Sequence, residues 1–193
     1  MKVNPSNLTK AKLVHFSDFA EKQLVHGRAG DPRLKEFTHP SFVLSGSSAD
    51  IEAGRKICKW IADNNVSKPE PLTVDILGLE AFDECVWVYK TAHGFGLRRE
   101  HRGNNIRDEI YEYIKQSALR FDEFAMIVEQ LDFDTGIVKT AKHMIMYREV
   151  QGGVHRAPEI NKITEYCKHV GIWEEMLAIK KEIEGKREAD KYH

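Results

Sequence analysis

The stretch from Leu119 to Lys186 reads as one helical hairpin written twice, and this repetition constrains the fold more than any other feature. Setting Gly136 against Gly171, an offset of 35 residues, brings Ile137 onto Ile172, Val128 onto Ile163, Leu131 onto Tyr166 and Met144 onto Ile179. Each copy is an apolar-periodic helix, a short break and a second such helix. A hairpin of this size cannot bury its own apolar face, so copies at a fixed period of ~20–50 residues are expected to stack.

The remainder of the chain is also helical in pattern. Leu13, Phe16, Ala20 and Leu24 recur at helical spacing and predict a first helix over 8–26, ended by Gly27 and Gly30. Asp31 and Pro32 restart a short helix that Pro40 closes. The loop at Ser45–Ser48 leads into a helix over 49–64 with Ile51, Ile57, Cys58 and Ile61 inward and Trp60 flanking. Asn64 to Pro71 is the clearest linker. A long buried helix then runs to His93, since the Leu, Ala and Glu around Val86–Tyr89 favour helix over strand. Gly94 and Gly96 end it, and Ile106, Ile110 and Ile114 stripe the next helix. The chain is expected to be all-α: a helical N-terminal region over 1–71, three hairpins over 72–186, and a frayed charged tail over 187–193.

Composition narrows the function classes. The 29 basic and 30 acidic side chains nearly cancel, which argues against a surface built mainly to neutralise phosphate. Three scattered cysteines, Cys58, Cys85 and Cys167, suit a reducing, intracellular compartment better than a disulfide framework. No apolar run reaches the ~20 residues that span a bilayer. Residues 1–13 hold three lysines and no apolar core of the signal-peptide kind, so secretion is not expected.

Within the last copy, Ile163, Tyr166-Cys167-Lys168, Gly171, Glu174-Glu175-Met176-Leu177, Ile183 and Gly185 together resemble a pentatricopeptide repeat. The pattern of that family is an aliphatic residue three before Tyr-Cys-Lys, then glycine, then a Glu-Glu-Ala-Leu helix; here the glycine is one residue late and Met176 replaces alanine. The preceding copy keeps Val128, Leu131, Gly136, Ala141 and Gly152. The resemblance spans roughly 73–186 and implies hairpins stacked as a short right-handed superhelix. It also implies single-stranded RNA binding in organelles, one base per repeat. The family's base-reading positions map to Ala125 and to Ile160 or Asn161, which lack the polar set such a code needs. The scaffold function that remains is that of an accessory subunit of a mitochondrial assembly, similar to the repeat-containing subunit of euglenozoan ATP synthases.

Chemistry-bearing clusters are sparse. Arg98, Arg99, His101, Arg102 and Arg107 crowd one basic loop able to meet a phosphate or an acidic protein surface, and Trp173 is a natural interface anchor. His93 and His101, eight apart without a nearby thiolate, are a thin basis for zinc. Thr38-His39-Pro40-Ser41-Phe42 resembles the opening of ribonuclease III-type domains, but the acidic run that carries their chemistry is absent. Arg148 and His155 have a spacing seen in helical ribonucleases, with Gly152-Gly153 between them. No glycine loop follows a strand with phosphate-binding spacing. The sequence therefore predicts no catalytic residue, no metal site and no cofactor. It predicts a non-enzymatic subunit that docks on protein subunits of a larger assembly through Arg98, Arg99, His101, Arg102, Arg107 and Trp173. The alternatives are a single-stranded RNA-binding repeat protein and a metal-dependent nuclease.

Overall fold

The structure, a computed structural model, describes residues 8–24, 50–101, 103–152 and 157–190. The predicted helix at 31–40 and the Ser45–Ser48 loop lie outside them. The described residues form α1 (Lys10–Phe16), α2 (Asp18–Leu24), α3 (Ile51–Asp63), α4 (Val74–Leu77) and α5 (Phe82–Gly94). After a 3-10 turn at Arg99–His101 come α6 (Asn104–Gln116), α7 (Phe121–Gln130), α8 (Thr135–Val150), α9 (Ala157–His169) and α10 (Trp173–Asp190). Among them there is no strand. Two compact units result, 1–109 and 110–193.

In the first unit α1 packs on α2 and α3, and α3 packs on α4 and α5. Leu13, Phe16, Ala20, Ile57, Ile61, Val86 and Leu97 are fully buried. The single helix expected over 8–26 is two helices, parted by Ser17 in extended geometry (φ −135°, ψ 118°). Ser17 pairs antiparallel with Leu97: Asp18 N–H donates to the Gly96 carbonyl and Arg98 N–H to the Phe16 carbonyl, each at 3.0 Å. A backbone from elsewhere has replaced the helix's own ladder, which local periodicity cannot signal. The helix expected from residue 72 to His93 is likewise two. Gly78 adopts the left-handed conformation (φ 58°) and closes α4, and α5 starts only at Phe82.

On α3 the register also differs from expectation. Ile51 is exposed and Trp60 is buried, because Asp50 caps the helix through Glu52 and Ala53 N–H, both at 2.9 Å, leaving Ile51 in the open first turn. The 64–71 stretch lies inside the first unit, where the Asn64 side chain and the Glu70 backbone exchange two hydrogen bonds of 2.9 Å.

The second unit contains two helical hairpins. α7 pairs with α8 and α9 with α10; across the hairpins α7 meets α9 and α8 meets α10. Phe124, Ile127, Leu131, Ile137, Ala141, Ile145, Cys167 and Met176 are fully or almost fully buried between them. Asp134 caps α8 by accepting from Ile137 N–H at 3.2 Å. The 35-residue register is replaced. Gly136 lies within α8, whereas Gly171 is left-handed (φ 78°) beyond α9. The buried counterparts are Ile127 with Ile163 and Leu131 with Cys167, 36 apart, then Ile137 with Met176, 39 apart. The spacing changes because α9 has 13 residues and α7 has 10.

α10 continues through the segment expected to fray. Lys186 pairs with Glu182 one turn back (2.6 Å), and Arg187 donates to the Val150 carbonyl at 2.6 Å.

Candidate functional site

The basic loop is fastened to its own unit. Parting α1 from α2 withdraws Asp18 N–H from the Val14 carbonyl, and Arg98 takes that carbonyl at 3.2 Å. The same guanidinium pairs with Glu21 at 2.8 Å and lies 3.5 Å from Asp18. Beneath it, Ser17 Oγ donates to the Phe95 carbonyl (2.6 Å) and accepts from Ala20 N–H (2.9 Å), which caps α2. Arg98 thus completes a backbone junction that a solvated turn would not require.

His101 is placed further inside. It is 6% exposed, with its ring centroid 4.9 Å from that of Phe16, 6.0 Å from Trp60 and 6.2 Å from His15. Burial holds its pKa below the ordinary imidazole value; Glu100 opposes this, while His15 and Arg98 add to it. The structure therefore brings Arg98 and His101 together as internal fasteners, and among the described residues of the loop's predicted set Arg99 is the exposed one. Arg107 is half-buried on α6 and has interactions of its own. Arg102 lies outside the described residues. Trp173 is half-buried at the start of α10, in the other unit.

His93 is exposed while His101 is enclosed by rings, so the pair presents no common face to a metal. Among the described residues no group of three or more His, Cys, Asp or Glu is disposed to hold an ion. Arg148 is buried and donates to the Ile114 and Lys115 carbonyls at 3.0 and 2.7 Å, closing the C-terminal end of α6. It serves the fold, and His155 and the Thr38–Phe42 stretch lie outside the described residues. Burial pushes all three free thiols, Cys58, Cys85 and Cys167, up to about 11, so they stay protonated and weakly nucleophilic at neutral pH.

Sequence reasoning did not find a surface groove of about 500 Å³ between α3 and the 64–77 segment. Lys59 and Lys68 stand on its rim, Trp60 and Leu77 line it, and Ile76 is 46% exposed there. Lysines at 59 and 68, without an ion pair among the described residues, carry no signal in a sequence rich in lysine. The rows of ion pairs between hairpins were equally silent: Lys142–Glu175 at 2.6 Å and Lys180–Glu149 at 2.7 Å join α8 to α10. Tyr166 lies edge-on to Phe121 and Phe124, joining α9 to α7.

No described helix is long and apolar enough to cross a membrane. No family model, curated protein or solved structure matches the chain.

Proposed function

We propose that the chain is a non-catalytic helical-repeat subunit that docks on a protein partner within a larger assembly. The observation that carries this reading is the packing of the second unit, first helix on first helix (α7 on α9) and second on second (α8 on α10). That is the way stacked hairpins extend a solenoid and present long faces to a partner. The superhelical arrangement belongs to the same proposal, as do the reducing setting, which rests on the scattered cysteines, and the mitochondrion and the ATP synthase as the assembly, which rest on the repeat resemblance.

The internal duties of Arg98 and His101 revise the docking set. Arg99, Arg102, Arg107 and Trp173 remain, with Arg99 exposed and Trp173 the aromatic anchor at a hairpin turn. The RNA reading has less support. Ala125 and Ile160 are half-buried apolar side chains, and only Asn161 of the mapped base-reading positions is both polar and exposed.

The test is native co-purification of the tagged full chain from its own cells, comparing wild type with Arg99→Glu and Trp173→Ala. The expected result is one stoichiometric protein assembly containing the ATP synthase, with recovery falling at least tenfold in the double variant. A free monomer in the native extract overturns the subunit reading. Salt-dependent capture of single-stranded RNA that Arg99→Glu abolishes replaces it with the RNA-binding one.

A further inference from the structure

His101 occupies an unusual place for a group that titrates near neutrality. Phe16 of α1 and Trp60 of α3 face its ring, at 4.9 and 6.0 Å between centroids. The charged and titratable groups around it are few. α1 contributes His15, 6.2 Å away, and Lys12, whose ammonium is held by the Ala62 carbonyl of α3. α3 contributes no charge to this ring contact. The segment of His101 itself contributes Arg98 and the exposed Glu100, and Arg98 is engaged with Asp18 and Glu21 of α2. Among the described residues no carboxylate forms an ion pair with His101. A proton on this ring would place a cation among apolar rings and beside two basic groups.

The ring is also the last anchor of the segment that pairs with the break between α1 and α2. His101 N–H closes the 3-10 turn on the Arg98 carbonyl at 2.7 Å. Arg98 and Leu97, in the same short run, make the pairing with Phe16 and Ser17. Expelling the ring therefore pulls on the Leu97–Arg98 backbone directly.

We propose that residues 95–101 form an acid-released latch: protonation of His101 drives its ring out of the Phe16–Trp60 cage, opens the Ser17–Leu97 pairing and exposes the Arg98 guanidinium. The latch stands on the first unit alone and holds whether or not the chain docks on a partner. The sign follows from linkage. A folded-state pKa below the unfolded one makes the closed form most favoured above about 6.5, and that advantage is lost as pH falls through the folded value. Within this window the opening constant rises by up to about tenfold per pH unit. Work above pH ~5 stays clear of the ordinary carboxylate range.

The decisive measurement uses the full-length wild-type chain. Hydrogen exchange of the Asp18 and Arg98 amides is followed from about pH 7.5 to 5, corrected for intrinsic rates, beside the NMR titration of the His101 ring. Both amides should lose at least tenfold protection while amides of α7–α10 keep theirs, and the His101 midpoint should lie below about 6.5. In His101→Phe, which fills the cage without titrating, the two amides should stay protected throughout. The latch is overturned if His101 titrates at or above the ordinary value. It is overturned equally if protection at Asp18 and Arg98 is flat with pH, or if the loss persists in His101→Phe. Should that variant not fold, the wild-type titration and exchange decide on their own.

Discussion

Gly96 and Gly171 end their helices by the same device in opposite surroundings. Each is left-handed, at φ 60° and 78°. After each, the next N–H reaches back five residues (Leu97 to the Ala92 carbonyl, Ile172 to that of Cys167), while the glycine's own N–H closes the inner turn. A Cβ on Gly171 would meet nothing within 4 Å, whereas one on Gly96 would fall 2.8 Å from Phe19 Cβ and 3.2 Å from its backbone nitrogen. The second unit uses the turn only to reverse the chain between neighbouring helices. The first uses it to press the 95–98 backbone against the junction of α1 and α2, some 78 residues earlier in sequence. One unit is assembled from neighbouring hairpins and the other is fastened by a long-range backbone junction.

The sharpest way to break this comparison is Gly96→Ala. A left-handed alanine costs about 1–2 kcal/mol, and backbone overlap adds a further 1–3, so a loss of roughly 3 kcal/mol is expected. Because two units unfold, the loss should be read by segment-resolved hydrogen exchange under mild denaturant, not from one midpoint. Protection should collapse across α1, α2 and 95–101 and persist in α7–α10. Uniform loss over both units would show that the junction is not local to the first.

The second unit has long-range fasteners of its own, and Arg148→Leu tests one of them. Removing the guanidinium leaves the Ile114 and Lys115 carbonyls without their side-chain donor, so a loss of about 2 kcal/mol is expected. The effect should centre on α6 and α8. An unchanged unfolding curve would mean that water replaces the guanidinium at no cost.

Ser17→Ala comes next, at about 1–2 kcal/mol, since the fully buried hydroxyl serves the Phe95 carbonyl and Ala20 N–H together. Its signature is faster exchange at Ala20 and Glu21. If those amides are unaffected, the backbone pairing with Leu97 holds the break without the hydroxyl.

These positions also mark where the sequence was legible. Ile106, Ile110 and Ile114 sit on one stripe and are all fully buried; the two hairpins expected over 119–186 are present as helix pairs. Such elements are read from neighbours three or four residues away. Ser17 was opaque because it lies in a good helical pattern that a distant backbone overrides. The basic loop was legible only in part for the same reason: Arg98 and His101 look like surface chemistry until α1 and α2 are placed over them. The repeat was legible as two hairpins but not in register, since a glycine within a helix and a glycine beyond one look alike in a sequence.

The smallest effect, and the one that completes the comparison, is Gly171→Ala. With open space around the Cβ, only the left-handed backbone is disfavoured, so about 1 kcal/mol is expected, confined to the α9–α10 turn. Asparagine separates the two causes. It tolerates the left-handed region, so Gly171→Asn should recover part of that loss. At Gly96 the obstacle is the Phe19 backbone and Cβ, so Gly96→Asn should be no better than Gly96→Ala. Measured as four stabilities in one background, these variants give a difference of differences. If asparagine helps equally at both sites, the close approach to Phe19 contributes nothing, and the first unit is held by its turn conformation, as the second is.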